Sequence, residues 1–283
     1  MNKNSFGVLY IVATPIGNLQ DMSPRAIETL KSVDWIAAED TRHSRSLLQH
    51  FSISTRLLSL HEHNERERIH KLIEVLRSGQ SIALISDAGT PLISDPGFIF
   101  VREVQKNGIR VVPIPGACAV ITALSAAGLP TDEFLFAGFL PVKLKAKQDR
   151  LMELSSVACT IIFYEAPHRI LETIKEMEKI FGAERRAVIA RELTKLYETI
   201  HQGSLQELVE WLQQDKNQQR GEFVILVEGF SSARTQEKKE IPTEKVLKIL
   251  LQYLPLKQAV EIAAEILEER KNKIYEIALQ LKK

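Results

Sequence analysis

Cysteine is scarce in this chain: Cys118 and Cys159 are the only two among 283 residues. Two thiols supply neither a disulfide framework nor a thiolate zinc site, so a reducing, cytoplasmic setting is the default. Charge of one sign is equally lacking. Lys and Arg number 37 against 36 Asp and Glu, which excludes a surface that traps polyanions throughout but leaves room for a local basic patch. Long hydrophobic runs are absent as well. The uncharged stretch Val111–Thr131 is cut by Pro113, Pro115, Gly116, Gly128 and Pro130, leaving a continuous helix only near Ala117–Ala127, too short for a bilayer. The run Val8–Val12 ends at Pro15 and Gly17 and follows a single Lys3, a weaker start than a signal peptide needs. The expectation is a soluble protein with no membrane partner.

Several nucleotide and hydrolase motifs are missing too. After the first predicted strand, Ala13–Leu19 reads A-T-P-I-G-N-L, with one glycine where a dinucleotide fingerprint has three. No phosphate-cradling loop ends in Gly-Lys-Ser/Thr, and no Gly-x-Ser-x-Gly elbow occurs. Oxidoreductase, nucleotide hydrolase and serine hydrolase readings all lose weight.

What is present is an ordinary globular composition, 45% hydrophobic and 26% charged, long enough for about two domains at roughly 150 residues each. Short β-rich runs alternate with amphipathic stretches. Strands are predicted at Gly7–Ala13, Asp34–Ala38, Ser81–Ser86 and Arg110–Pro113, and helices near Pro24–Ser32, Ser44–His50, Glu65–Ser78 and Gly97–Asn107. Ile69, Leu72, Ile73 and Leu76 form one helical face, and alternation of such helices with strands implies parallel βαβ units. A second series has strands at Glu133–Ala137, Thr160–Tyr164, Arg186–Arg191, Glu198–Gln202 and Glu222–Glu228. Its helices fall at Ala117–Ala127, Ala146–Ser155, Pro167–Phe181 and Ser204–Gln213, and two abutting strands make its sheet mixed. The expected organisation is an N-terminal αβ domain (1–115), a C-terminal αβ domain (116–230), a polar linker (231–242) and a small helical domain (243–283). Helices at Thr243–Tyr253, Leu256–Glu268 and Lys273–Leu281 give the last part helix-turn-helix size.

Seven segments carry potential chemistry. Ser86–Gly97, S-D-A-G-T-P-L-I-S-D-P-G, follows a buried-type strand; its turns are either ordinary punctuation or a ligand loop at a strand's carboxyl end. Pro113–Val120 runs into a small-residue helix whose alanines permit close approach by a ligand or by a neighbouring element. Ala37–Arg45 places Glu39 and Asp40 beside Arg42, His43 and Arg45, as a solvated loop or a catalytic, RNA-facing one. The His61-Glu62-His63 spacing is weak for a metal site, and no metal is expected. Phe163–Ile170 and Ala190–Tyr197 each put charges directly after a strand, where Arg191, Glu192 and Lys195 suit a structural ion-pair network. Lys143, Lys145, Lys147 and Arg150 make a basic run that reads as a solvated helix face or as a grip on a phosphate backbone.

Together these blocks resemble the tetrapyrrole (corrin/porphyrin) methylase superfamily, and within it the branch that methylates small-subunit ribosomal RNA. The matching segments are Y-I-V-A-T-P-I-G-N-L, A-A-E-D-T-R, S-D-A-G-T-P-L-I-S-D-P-G, P-I-P-G-A, F-Y-E-A-P-H-R, R-E-L-T-K and G-E-F-V-I-L-V-E-G, in that order over about Gly7–Gly229. Gly89-Thr90-Pro91 stands where the small-molecule methylases usually carry Gly-Asp-Pro. The resemblance implies two αβ domains with S-adenosylmethionine in the cleft between them, and a small all-α domain after them. It also implies methylation of a cytidine 2′-hydroxyl in the decoding centre of 16S rRNA, with free rRNA or the 30S subunit as partner, by a cytoplasmic homodimer. Carried over onto this sequence, cofactor contacts fall on Pro15, Asp87, Ala88, Gly89, Thr90, Ile93, Cys118, Ala119, Tyr164, Leu193 and Gly221. A donor without phosphate agrees with the missing glycine-rich cradle.

A hydroxyl acceptor also benefits from a base, and Glu39, Asp40 and His61 are the candidates. Arg42, Lys143, Lys147, Arg169 and Lys195 are the candidates for holding substrate phosphate or orienting that base. Two alternatives stay open: a methylase of a tetrapyrrole or another small molecule, and a nucleic-acid-binding regulator built on the tail. Within 231–283, 11 Lys and Arg face 8 Asp and Glu, which favours RNA over a small acceptor.

Overall fold

The computed structural model describes residues 6–61, 64–231, 243–267 and 269–281. The chain divides into two compact units, Met1–Phe230 and Ser231–Lys283.

The first unit opens with a five-stranded sheet in the order β3-β2-β4-β1-β5, parallel throughout: β1 Val8–Val12, β2 Trp35–Ala38, β3 Arg56–Ser59, β4 Ile82–Ile85 and β5 Arg110–Ile114. Four helices connect them, α1 Pro24–Ser32, α2 Thr41–His50, α3 Glu65–Arg77 and α4 Phe98–Lys106. Both faces of this sheet are covered. Leu9, Ile82, Leu84 and the apolar stripe of α3 form one core, while Val12, Ile36, Ala83 and Ile85 pack with α1 and α2 in the other. Neighbouring β-strand residues point to opposite faces, so strands buried on both sides read as unbroken apolar runs.

Local signals set the helix starts. Ser23 caps α1 by accepting from the Ala26 amide at 3.1 Å, with Pro24 at the first helical position. Helix α2 begins at Thr41 rather than Ser44, because Asp40 accepts from the Arg42 amide at 2.8 Å. Helix α4 follows Gly97, which has no side chain to cap it. The buried carboxylate of Glu65, at the start of α3, accepts from the Phe100 amide at 2.8 Å and takes over that role. The loop ahead of α4 is thereby anchored at its far end.

The second sheet has the order β6-β7-β10-β8-β9: β6 Phe134–Phe139, β7 Thr160–Glu165, β8 Arg186–Arg191, β9 Thr199–Ser204 and β10 Phe223–Val227. It is mixed, as the abutting strands imply: β6 and β7 are parallel, and β10 runs antiparallel to β7 and β8. Alternate residues of β10 serve opposite faces. Phe223, Ile225 and Val227 pack with α6 Leu144–Leu154, α7 Ile170–Phe181 and α8 Leu205–Gln214. Val224 and Leu226 pack against Val120, Ala123 and Leu124 of α5 Ala119–Ala126. The small residues of α5 are therefore used mainly to seat that helix on the second sheet.

The second unit holds α9 Thr243–Leu250, α10 Leu256–Ile266 and α11 Lys271–Leu281 around Leu247, Val260, Ala263, Ile274 and Ala278. Among the described residues, no helix is long and apolar enough to cross a membrane.

Candidate active site

Four loops leave the carboxyl ends of adjacent parallel strands in the first sheet, and hydrogen bonds knit them together. Thr14 and Gly89 exchange backbone bonds of 2.8 and 3.0 Å, joining the loops after β1 and β4. Thr90 Oγ1 donates to the Ala117 carbonyl at 3.0 Å, joining β4 to β5, and the Asp40 amide donates to Asp87 Oδ1 at 3.1 Å, joining β2 to β4. Open α/β sheets bind ligands at this end.

Between these loops and the second sheet lies a cavity of about 460 Å³. That size is typical of a small-molecule site. From the first sheet come Ile16, Glu39, the loop 87–90, Ile93, Ser94, Asp95, Cys118 and Ala119; from the second come Phe139, Tyr164–Pro167, Ala190, Leu193 and Glu222–Val224.

Backbone strain is concentrated here. Leu92 and Ser94 have φ of 74° and 69°, and Glu192 and Thr194 have 51° and 66°. Each pair brackets one apolar residue of the cavity wall, Ile93 and Leu193. Non-glycine residues held in this region cost about 1–3 kcal/mol each and persist where surrounding structure enforces them, commonly at ligand sites.

The lining has a pronounced electrostatic character. Five carboxylates reach it, Glu39, Asp87, Asp95, Glu165 and Glu222, and its residues include no Lys, Arg or His. Four of the five are held by donors, Asp95 by the Ser86 hydroxyl. Glu165 accepts from the Ala166 amide at 2.8 Å and Thr173 Oγ1 at 2.6 Å, Glu222 pairs with Lys195 at 2.9 Å, and Asp87 takes the Asp40 amide. Burial, with help from Asp87 and Asp40, raises the Glu39 carboxyl above its ordinary range. Asp95 is pushed up to about 6, first by burial and then by the charge of Glu39. Burial also raises the Tyr164 phenol, which stays neutral. Apolar walls plus carboxylates without a paired cation suit a cationic group and repel phosphate, so the residues present fit the sulfonium and ammonium of a donor whose one anionic group is a carboxylate and which has no phosphate.

Of the eleven cofactor positions expected from sequence, the cavity brings together nine: Asp87, Ala88, Gly89, Thr90, Ile93, Cys118, Ala119, Tyr164 and Leu193. Pro15 and Gly221 fall outside it, each one residue from a lining position, Ile16 and Glu222. Asp95, Phe139 and Phe223 join the lining beyond the expected set, although Asp95 sits in the second Ser-Asp pair of the turn-rich loop. That repeated pair is the one signal in the sequence that points to it.

The candidate bases separate. Glu39 lines the cavity, whereas Asp40 is the cap of α2 and pairs with Arg42 at 3.2 Å, whose hydrogen bonds hold its carboxyl below the usual range. A low, ion-paired carboxylate is a poor proton acceptor. His61 ends the segment after β3, where its backbone amide donates to Asn64 Oδ1 at 2.9 Å, and its charge acts on Glu39 without reaching the cavity. Of His61-Glu62-His63, the last two lie outside the described residues, and among the described residues no group of three or more His, Cys, Asp or Glu is placed to hold a metal.

Three of the five cationic candidates are engaged internally. Lys147 is corrected outright: its side chain is 1% exposed and donates to Glu172 at 2.9 Å and Thr173 at 3.2 Å, beneath the surface that a substrate meets. Arg169 donates to the Leu140 carbonyl at 2.7 Å and lies 3.2 Å from Glu165, bracing the cavity wall from behind. Lys195 is clamped between Glu192 and Glu222, at 3.0 and 2.9 Å. Arg42 and Lys143 remain exposed.

The chain thus places an acidic cavity between two αβ sheets, beside loops with strained backbone. Residues 8–209 match the family of Tetrapyrrole (Corrin/Porphyrin) Methylases, and residues 238–282 match the RsmI C-terminal HTH domain. The chain belongs to the tetrapyrrole methylase family and is a methyltransferase. It is 56% identical over 276 residues to ribosomal RNA small subunit methyltransferase I of Pseudomonas aeruginosa, covering 98% of each chain. The protein of the same name from Escherichia coli O157:H7 is 50% identical over 279 residues, covering 98% of this chain and 96% of that one. Solved structures share the fold at low identity. Cobalt precorrin-4 methyltransferase aligns with a TM-score of 0.56 and 18% identity over 78% of this chain and 94% of its own. Uroporphyrin-III C-methyltransferase from Thermus thermophilus, complexed with S-adenyl homocysteine, aligns with 0.53 and 16% over 78% and 97%.

Proposed function

We propose that this chain transfers a methyl group from S-adenosylmethionine to the 2′-hydroxyl of a cytidine in the decoding centre of 16S rRNA, as free rRNA or in the 30S subunit. The supporting observation is similarity that runs through both sheets, the cleft loops and the helical unit together, at half identity or better, to enzymes named for that RNA.

When bound, the donor supplies an activated methyl group on a sulfonium centre. The chain's own residues do the rest. Asp87, Gly89 and Thr90 form one wall with Cys118 and Ala119, tied together by the Thr14–Gly89 and Thr90–Ala117 bonds. Tyr164 presents a neutral aromatic face, braced edge-on by Phe136 and Phe139 at 4.9 and 5.6 Å, and such a face attracts a diffuse cation. Ile93 and Leu193 add apolar wall. Alignment of an acceptor oxygen at roughly 3 Å from the methyl carbon supplies much of the acceleration. The acidic lining keeps phosphates outside, so a single ribose enters while the exposed Arg42 and Lys143 are left to meet the RNA backbone. The same lining disfavours a polycarboxylate tetrapyrrole as acceptor.

A homodimer in the cytoplasm completes the proposal. Exposed Leu196 and Tyr197, on the loop that carries Leu193, offer a partner subunit an apolar contact.

Incubation of the protein with a methyl-labelled donor, 30S subunits and a porphyrinogen separates the acceptors. Nucleoside mass spectrometry is expected to find the label in 2′-O-methylcytidine alone. Label in the porphyrinogen, or in a base, contradicts the proposal.

A further inference from the structure

Of the five carboxylates that line the cavity, Asp87, Glu165 and Glu222 each accept a hydrogen bond, at 3.1, 2.6 and 2.9 Å, and the last two are ion-paired as well, with Arg169 and Lys195. Among the described residues Glu39, Asp87 and Asp95 meet no Lys or Arg within salt-bridge distance, and of these three only Asp87 accepts a backbone amide, that of Asp40. Glu39 and Asp95 come from different strands, Glu39 from the end of β2 and Asp95 from the loop after β4. Asp95 is fixed on both sides. Ser94 before it is held at φ 69°, and Pro96-Gly97 after it leads into α4, whose start is anchored by Glu65. The Ser86 hydroxyl hydrogen-bonds the Asp95 side chain. Ser94 Oγ also lies close to the bulge at Gly138 in β6, so Asp95 is carried where the two sheets face each other.

Resting on the methyl-transfer reading above, we propose that Asp95 is the general base that takes the proton from the acceptor hydroxyl, with Glu39 as its electrostatic neighbour. The hydroxyl gives its proton to an Asp95 oxygen as its own oxygen bonds to the methyl carbon. The electron pair of the broken methyl–sulfur bond stays on sulfur, which leaves as a neutral thioether. The groups that act on Asp95 from the surrounding elements are Glu39, Asp87, the Ser86 hydroxyl and the Tyr164 phenol. Two carboxylates and a neutral phenol offer no compensating cation, so Asp95 holds a proton more tightly than an ordinary carboxyl and releases it only around pH 6, as a base working near neutrality requires.

The test is a set of pH–rate profiles for methyl transfer to 30S subunits by the wild type, Asp95→Asn and Glu39→Gln. The wild-type rate should rise with pH through about 6 and then level off, since the base works only when ionised. Asp95→Asn should lower kcat by roughly 10²–10⁴-fold and lose that rise, while calorimetry finds S-adenosylhomocysteine affinity within a few-fold of wild type. Glu39→Gln should keep the rise but move it to lower pH, because a neighbouring negative charge has been removed. Thermal melting gives a reading independent of catalysis. An ionised Asp95 weakens the fold as pH climbs from 3.8 to about 6, so Asp95→Asn should melt higher than wild type above that range and by little at its lower end. The proposal is overturned if the rise survives in Asp95→Asn, if Glu39→Gln abolishes it, or if Glu39→Gln leaves its position unchanged. That last comparison stands even where Asp95→Asn folds poorly. Failure of the wild type to bind the donor or to label rRNA strikes the underlying reading instead, and the present inference with it.

Discussion

Gly89→Val should abolish useful donor binding in a protein that still folds. Gly89 has φ of 81°, a backbone state that costs other residues about 1–2 kcal/mol, and β-branched ones more. It cannot relax by rotation, because its amide and carbonyl are both engaged with Thr14. A Cβ there would stand 3.2 Å from Ile16 Cγ2 and 3.7 Å from the Ala117 carbonyl, and the two valine methyls would extend into the cavity or into those walls. The expected loss in affinity is on the order of 100-fold, or about 2.7 kcal/mol, read by calorimetry with S-adenosylhomocysteine. Gly108→Val is the matched control. Gly108 has φ of 69°, and a Cβ at that position would meet nothing within 4 Å, so the strain is comparable and the site is untouched. It should lower stability and leave affinity as it is.

The second large effect concerns Lys147, and it is one of stability. Its ammonium is buried beside Thr173, which in turn donates to Glu165 at 2.6 Å in the cavity wall. Lys147→Met keeps most of the stem's packing and removes the charge-assisted bonds. Hydrogen bonds to charged groups contribute about 1.5–3 kcal/mol, and Glu172, 58% exposed, regains water, which keeps the loss near the lower end. For a unit of this size that corresponds to a fall in Tm of about 3–8 °C. Lys143→Met should behave in the opposite way. It should leave Tm unchanged and reduce the salt dependence of RNA binding by about one in the log–log slope, as loss of a phosphate contact does. A salt slope altered by Lys147→Met instead would return Lys147 to the substrate surface.

The Lys147 case shows where a linear reading loses information. Residues 143, 145, 147 and 150 look like one basic run, but a helix distributes them over different faces. Lys147, Leu151 and Leu154 share the i, i+4, i+7 spacing of a core stripe, and all three are buried. The partners that neutralise the neighbours are also in the sequence: Lys145 pairs with Asp149 and Arg150 with Glu153. Nine of the ten strands among the described residues are legible from apolar runs and turn residues. The exception, Arg56–Ser59, lies at the sheet's edge, opens on an exposed arginine and has no fully buried residue, unlike the equally short β2 and β4. Motifs at the carboxyl ends of strands point to the cavity because parallel strands deliver their loops to one end. What sequence spacing does not convey is convergence from two sheets. Asp95, Phe139 and Phe223 gain their interest from meeting at one cavity, although they are far apart along the chain.

The central claim is that this cavity is an acidic, phosphate-excluding seat for a sulfonium donor. Calorimetric titration of the full-length protein with S-adenosylmethionine, S-adenosylhomocysteine and ATP tests it most directly. The account predicts saturable one-to-one binding of the first two and no measurable heat with ATP. ATP binding at comparable strength, or no heat with any of the three in folded protein, would contradict it.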